Sequence, residues 1–324
     1  MALRYNVLGG TGLRVSPVGL AVYSPGRGPF EGLSRREVAG LVAEARRLGV
    51  NFFSTAPVYG LEALDALREG LGGDYEGVVV ALLLGYRRGG GQSFEPEFLV
   101  SEAEESCERL GHCPVELVVL HDPGLELLRR PEIYEAAETL REEGLAEHIG
   151  VSIGADPDAL PSAREALKRE TVEALRFIYN MLEQEPGASI ARMARERGRG
   201  IIVALPHVGG LLLGEQGLPE WDRLEPYYAG GKRIRGWYRS ALAVYEFLKR
   251  ELREELEQVL EEMTPAQLAL RFIYQSIPVD TVEAVVRSRE KLRELVEAAE
   301  KPELPSGLVE KLRKAYTAAR PGTA

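Results

Sequence analysis

Val78-Val79-Val80-Ala81-Leu82-Leu83-Leu84 is an apolar run without a polar interruption, set between Gly77 and Gly85. A strand with one wet face alternates apolar and polar side chains. A run of strand length that never alternates predicts a strand covered on both faces, as in a parallel sheet flanked by helices. Before the run lies an amphipathic stretch, Leu61–Leu71, and after it another, Pro96–Leu110. Strand, helix, strand is the unit that parallel pairing requires.

The same unit repeats along the chain. Strands are expected at Gly19–Val22, Asn51–Thr55, Val78–Leu84, Leu117–His121, His148–Ser152, Ala174–Tyr179, Ile201–Leu205 and Thr281–Val286. Helices are expected between them. One opens at the capping box Ser34-Arg35-Arg36-Glu37 and stops at Gly49; others span Pro131–Glu143, Pro157–Lys168 and Ser189–Arg197. Ahead of the first strand, Gly9-Gly10-Thr11-Gly12 sits between two short apolar segments in Leu3–Val18 and reads as a β-hairpin, not a dinucleotide fingerprint, because no βαβ unit surrounds it. Between strands seven and eight come a loop, Gly214–Gly236, a charged helix near Arg239–Glu262 and a helix capped by Thr264; a last helix covers roughly Ser306–Ala318. Eight strands with following helices, and no Pro/Gly/Ser linker, predict one (β/α)8 TIM barrel over residues 1–324, with an N-terminal β-hairpin and extra helices near the C-terminus.

Composition narrows the function. The net charge of −10, without a basic arm or stripe, argues against nucleic acid. No apolar run reaches the roughly 18 residues of a membrane span, and the opening Met-Ala-Leu-Arg-Tyr-Asn lacks a signal-peptide pattern, so a cytoplasmic location is expected. Cys107 and Cys113 are close enough in sequence to bridge but read better as two thiols. The four histidines, His112, His121, His148 and His207, lack metal-ligand spacing, and no metal is expected. Abundant Arg and Glu with scarce Asn, Gln, Cys and Met match a thermophile or a GC-rich genome.

Several blocks resemble the aldo-keto reductases, in family order and over nearly the whole chain. They are Leu8–Ser16, Gly49–Gly60, Leu117–His121, Ile149–Ser152 and Thr264–Leu270. Gly210-Leu211-Leu212, Glu215-Gln216-Gly217 and Pro219-Glu220-Trp221 are similar to the galactose and aldose 1-dehydrogenase branch. The resemblance implies hydride transfer between NADP(H) and a carbonyl or sugar carbon of a small molecule. It places Tyr59 as proton donor or acceptor and His121 as the group orienting the substrate oxygen. It also places Ser152, Gly210, Leu211, Arg287 and Ser288 on the cofactor.

In the family a lysine paired with an aspartate makes the tyrosine acidic enough to work; a phenol of pKa about 10 is otherwise a poor proton shuttle at neutral pH. At those positions this chain has Ser54 and Leu83. Replacing both members of a buried pair by neutral groups can be harmless where removing one is costly. Arg87 or Arg88, in the loop after the third strand, is one candidate replacement for the charge. Val285 and Leu295 also depart from the family's phosphate-binding residues, Gly and Asn. Two readings therefore stand open: an oxidoreductase with altered catalysis, or a non-redox binding or regulatory barrel that has lost part of the site.

Overall fold

In the computed structural model, residues 3–155, 157–213 and 231–319 are described, with the backbone alone for 231–237. A two-stranded antiparallel hairpin, β1 (Asn6–Val7) and β2 (Arg14–Val15), precedes the barrel. Eight strands then follow: β3 (Val18–Ala21), β4 (Phe52–Thr55), β5 (Val79–Leu84), β6 (Val115–Leu120), β7 (Ala146–Ile153), β8 (Ala174–Ile178), β9 (Gly200–Ala204) and β10 (Thr281–Ala284). Each pairs in parallel with the next, and β10 pairs with both β9 and β3, so the sheet closes on itself. All six residues of β5 are buried, as its unbroken apolar run requires.

Helices surround the strands: α1 (Arg35–Arg47), α2 (Glu62–Leu71), α3 (Pro96–Leu110), α4 (Leu125–Leu128), α5 (Glu132–Glu142), α6 (Ala159–Ala166), α7 (Gly187–Glu196), α8 (Gly231–Glu251), α9 (Arg253–Leu260), α10 (Pro265–Ser276), α11 (Arg289–Ala298) and α12 (Ser306–Ala319). Local chemistry sets their ends. Ser34 and Thr264 each form a full capping box, with Glu37 and Gln267. Proline opens α3 and Gly111, at φ +64°, closes it.

The hairpin stops the N-terminal end of the barrel. Leu8 is fully buried there, and Gly9 lies so close to the backbone at Gly200 that a Cβ would collide with it. The buried Asp280 carboxylate accepts from the backbone N–H groups of Gly9 and Ile201 and pairs with Arg195 at 2.6 Å. This end is fastened, which leaves the C-terminal ends of the strands as the open mouth.

Three expectations change. The charged stretch near Arg239–Glu262 is two helices, because Leu252 leaves helical geometry (φ −122°, ψ 32°) and turns inward, where it is buried. A further helix, α11, starts within five residues of β10. Cys107 and Cys113 are joined as a disulfide and are not free thiols; the left-handed Gly111 folds the chain back and brings their Cα atoms to 5.3 Å, within bridging range. The Glu215–Gly217 and Pro219–Trp221 segments lie outside the described residues. Among the described residues no helix is long and apolar enough to cross a membrane.

Candidate active site

Tyr59 ends a short 3-10 turn, Pro57–Tyr59, directly after β4. Proline starts the turn, and Gly60 leaves it at φ +102°, a conformation open to glycine, where a Cβ would also strike the Ser24 hydroxyl. The turn is thereby pressed onto the loop after β3. The Tyr59 ring is 2% exposed, stacked on Tyr23 at 4.0 Å between centroids and edge-on to His121 at 5.9 Å. Tyr86 also meets His121 edge-on, at 4.8 Å between centroids.

His121 comes one residue after β6. Its backbone N–H donates to Leu84 O at 2.7 Å, which keeps it in step with β5. Gln92 donates to the carbonyls of His121 and Asp122, both at 3.1 Å, and pins the loop after β5 onto this turn. Asp122 has a positive φ of 52°, which turns its side chain out of the strand's alternation toward Gly154. The His121 ring is 1% exposed, and its Nδ1 has no hydrogen-bond partner. Burial pulls its pKa down to about 4; Asp122 and Glu283 oppose this and Arg176 adds to it. The imidazole is neutral at ordinary pH.

His207, in the loop after β9, is also buried, with its Nε2 3.3 Å from Ala266 O, and burial lowers its pKa to about 4. Unfolded histidine takes up a proton near pH 6.5. Between that value and about 4 the unfolded chain binds protons that these two histidines refuse while folded. Stability present above pH 6.5 is therefore lost as pH falls through the window, by up to about 1.4 kcal/mol per pH unit for each histidine. The thermal midpoint, followed by circular dichroism, should drop over this range relative to a variant with both histidines replaced by glutamine. Equal pH dependence of the two proteins would show that the rings protonate in place.

Ser54, on β4, is 1% exposed and its Oγ has no partner; Leu83, on β5, is equally buried. No charge enters the mouth from these two strands. Arg87 does not reach it either, since its guanidinium lies over the Phe98 ring at 4.9 Å. Arg88 pairs with Glu105 at 2.7 Å and Glu102 at 3.4 Å, both on α3. The loop cations proposed from sequence are committed to the helix layer.

A charge pair enters from the opposite side. Arg176, on β8, makes a two-pronged bond to Glu283, on β10: Nε to Oε2 at 3.0 Å and Nη2 to Oε1 at 2.7 Å. Its Nη1 donates to Ser152 Oγ at 3.1 Å, and the Ser152 hydroxyl donates to Asp122. Arg176 and Glu283 are 9% and 5% exposed. Burial works against the Arg176 charge, but the charge and hydrogen bonds of Glu283, with smaller contributions from Tyr59 and Asp122, hold the guanidinium protonated well above its ordinary value. Sequence reading missed this pair. Its signal was available: one arginine in Ala174–Ile178 and one glutamate in Thr281–Ala284, each inside a strand that closure buries on both faces.

The remaining sequence candidates lie around β9 and β10. Arg287 is exposed and donates to Glu31 O at 2.6 Å. Ser288 is the N-cap of α11 and accepts from the Lys291 N–H at 3.2 Å. Gly210 (φ +102°) and Leu211 lead into the short turn Leu211–Leu213, and Lys291 Nζ fastens that turn by donating to Leu213 O at 2.9 Å. Thus Gly210, Leu211 and Ser288 share one rim of the mouth, with Arg287 tied across to the loop after β3. Leu295 is fully buried in the core and Val285 packs against it. Among the described residues no group of three or more His, Cys, Asp or Glu is placed to hold a metal ion.

Residues 18–317 match the model of the Aldo/keto reductase family. The chain is 31% identical to L-galactose dehydrogenase of Arabidopsis thaliana over 238 residues, covering 69% of this chain and 71% of that protein. It is 26% identical to an NADH-specific methylglyoxal reductase of Escherichia coli over 232 residues, 64% of this chain and 68% of that protein. An aldo-keto reductase of Bacillus halodurans, solved in its holo form, superposes with a TM-score of 0.76 at 23% identity, covering 97% and 96% of the two chains.

Proposed function

This chain belongs to the aldo/keto reductase family and is an oxidoreductase of that family, and we propose that it acts on a small-molecule carbonyl with NADP(H), using Tyr59 to handle the proton and His121 to orient the oxygen. The observation that carries the reading is the meeting of the two side chains at the barrel mouth. The Tyr59 ring stands edge-on to a buried, neutral imidazole whose Nδ1 has no protein partner.

The donor set on the rim fits a dinucleotide phosphate. Arg287 offers an exposed guanidinium, Ser288 sits at the start of a ten-residue helix, and Gly210 and Leu211 border the same rim. The dinucleotide, when bound, supplies or accepts the hydride. The chain's own residues do the rest. Tyr59 Oη gives its proton to the substrate oxygen as charge develops there, or takes it back in the reverse direction. His121, uncharged, offers a hydrogen bond to the same oxygen without adding a fixed charge. Tyr23 and Tyr86 pack against the two rings and restrict their motion, which keeps the proton path short.

A second reading, a non-redox barrel binding a ligand at the same mouth, draws on Ser152. Its hydroxyl already donates to Asp122 and accepts from Arg176, so little of it is left for a cofactor amide. Titration with NADPH, followed by cofactor fluorescence, separates the two readings. Saturable binding with carbonyl-dependent NADPH oxidation is expected; no binding at about millimolar cofactor would remove the redox reading and leave the second.

A further inference from the structure

The Arg176–Glu283 pair is hard to account for by stability alone. Taking two charges out of water costs several kcal/mol per ion, and well-packed apolar residues often do as well or better in the same place. β8 is otherwise apolar, and β10 carries no other charge. A charge pair kept inside the barrel, close to a tyrosine and a histidine, invites a role at those two residues.

The ladder fixes where the guanidinium lies. Arg176 is level with Ser152 on β7 and with Ile202 on β9, and Ile202 is level with Thr281. Glu283 is two residues farther along β10, on the same face as Thr281. Arg176 therefore reaches across β9 near the C-terminal end of the barrel. On its other side, Nη1 bonds to Ser152. Because Leu120 is level with Val151, the next residue on each strand brings His121 beside Ser152. The His121 ring then meets the Tyr59 ring. Arg271, the other arginine as deeply buried among the described residues, is on α10 against Tyr274, whose hydroxyl donates to Pro17 O at the opposite end of the barrel.

We propose that Arg176, clamped by Glu283, is the positioning residue that supplies the fixed positive charge for the Tyr59 phenol, the part that a lysine–aspartate pair would take if Ser54 and Leu83 were those residues. The inference rests on the reading of Tyr59 as the proton-handling group. Among the described residues, Tyr23 follows β3, with the exposed Arg27 farther along the same loop beside Gly60; Ser54 on β4 and Leu83 on β5 are uncharged; Tyr86 follows β5; His121 and Asp122 follow β6; Arg176 is on β8 and Glu283 on β10. His121 is neutral. Both Glu283 oxygens are taken up by the guanidinium, and Asp122 is turned toward Gly154 and held by Ser152. Arg176 is within electrostatic range of both Tyr59 and Asp122. At His121 it opposes protonation, against Asp122 and Glu283. Its Nη1, bonded to Ser152 beside His121, turns the positive end of the pair toward the mouth.

The test reads the acidity of Tyr59 directly, without cofactor or substrate. Tyrosines are labelled with carbon-13 at Cζ, the Tyr59 signal is assigned by its loss in Tyr59→Phe, and pH titrations are compared between the parent and Arg176→Met/Glu283→Leu. The double variant removes the pair without stranding either charge. Tyr59 should become at least about tenfold less acidic in it, an upward move of about one pH unit or more. A smaller shift, or a Tyr59 that stays protonated in the parent up to about pH 11, overturns the proposal. Failure of the redox reading is separately visible. An upward shift in a protein that does not bind NADPH supports the role of Arg176 and removes the reductase; turnover with unchanged Tyr59 acidity does the reverse.

Discussion

Glu283→Leu should destabilise the fold by about 3–5 kcal/mol, because it strands the buried Arg176 guanidinium with, among the described residues, the Ser152 hydroxyl as its remaining hydrogen-bond partner. The cause is the uncompensated charge, not the loss of an attractive contact. In the parent, all the interactions of the guanidinium with Glu283 serve to offset desolvation of two ions. Taking away the carboxylate leaves the desolvation cost and removes the offset. Adding Arg176→Met should recover most of the loss, since the mouth then holds two apolar side chains of similar volume and no buried charge. Denaturant unfolding of the two variants beside the parent measures both steps. If the single variant proves as stable as the double, the pair is wetter or weaker than its burial and its two-pronged geometry state.

The second large effect falls on turnover. Tyr59→Phe should lower carbonyl reduction by roughly 10²–10⁴-fold, the usual contribution of a positioned acid or base, while NADPH binding stays near the parent's. Phenylalanine keeps the ring that stacks on Tyr23 and meets His121 edge-on, so neither the turn at Pro57–Tyr59 nor the packing of the mouth has reason to change. A loss confined to kcat assigns the missing function to the hydroxyl. Turnover within a few-fold of the parent would place proton transfer on another group, and the buried hydroxyl of Ser54 or a water would become the candidate.

Much of this molecule could be read before folding. The apolar run at Val78–Leu84, the alternation around it, the caps at Ser34 and Thr264 and the stop at Gly49 are local signals, set by side-chain periodicity and by the hydrogen bonds a helix end requires. They predicted the closed eight-stranded barrel with its hairpin. They also put Tyr59 just after one strand and His121 at the end of another, which the structure ends one residue earlier, where the fold gathers its chemistry. The Leu252 break was less legible, because the charged stretch around it keeps helical character on both sides and only burial of that one leucine bends the chain. The disulfide was misjudged from composition. Six residues of separation allow a bridge or two thiols, and the choice depends on the direction in which Gly111 sends the chain.

The sequence by itself determined the architecture and the place of each candidate along it, since strand period, helix caps and strand ends depend on near neighbours. What the tertiary structure alone decided is which charges share the mouth. Arg87 and Arg88 stand close to the third strand in sequence, yet Phe98, Glu102 and Glu105 hold them on the helix layer. Arg176 and Glu283 are 107 residues apart, and each looks like an isolated exception in an apolar strand until barrel closure sets β8 and β10 on either side of β9. A charge in a dry interior must find its partner across space, and no local rule records the strand on which that partner waits.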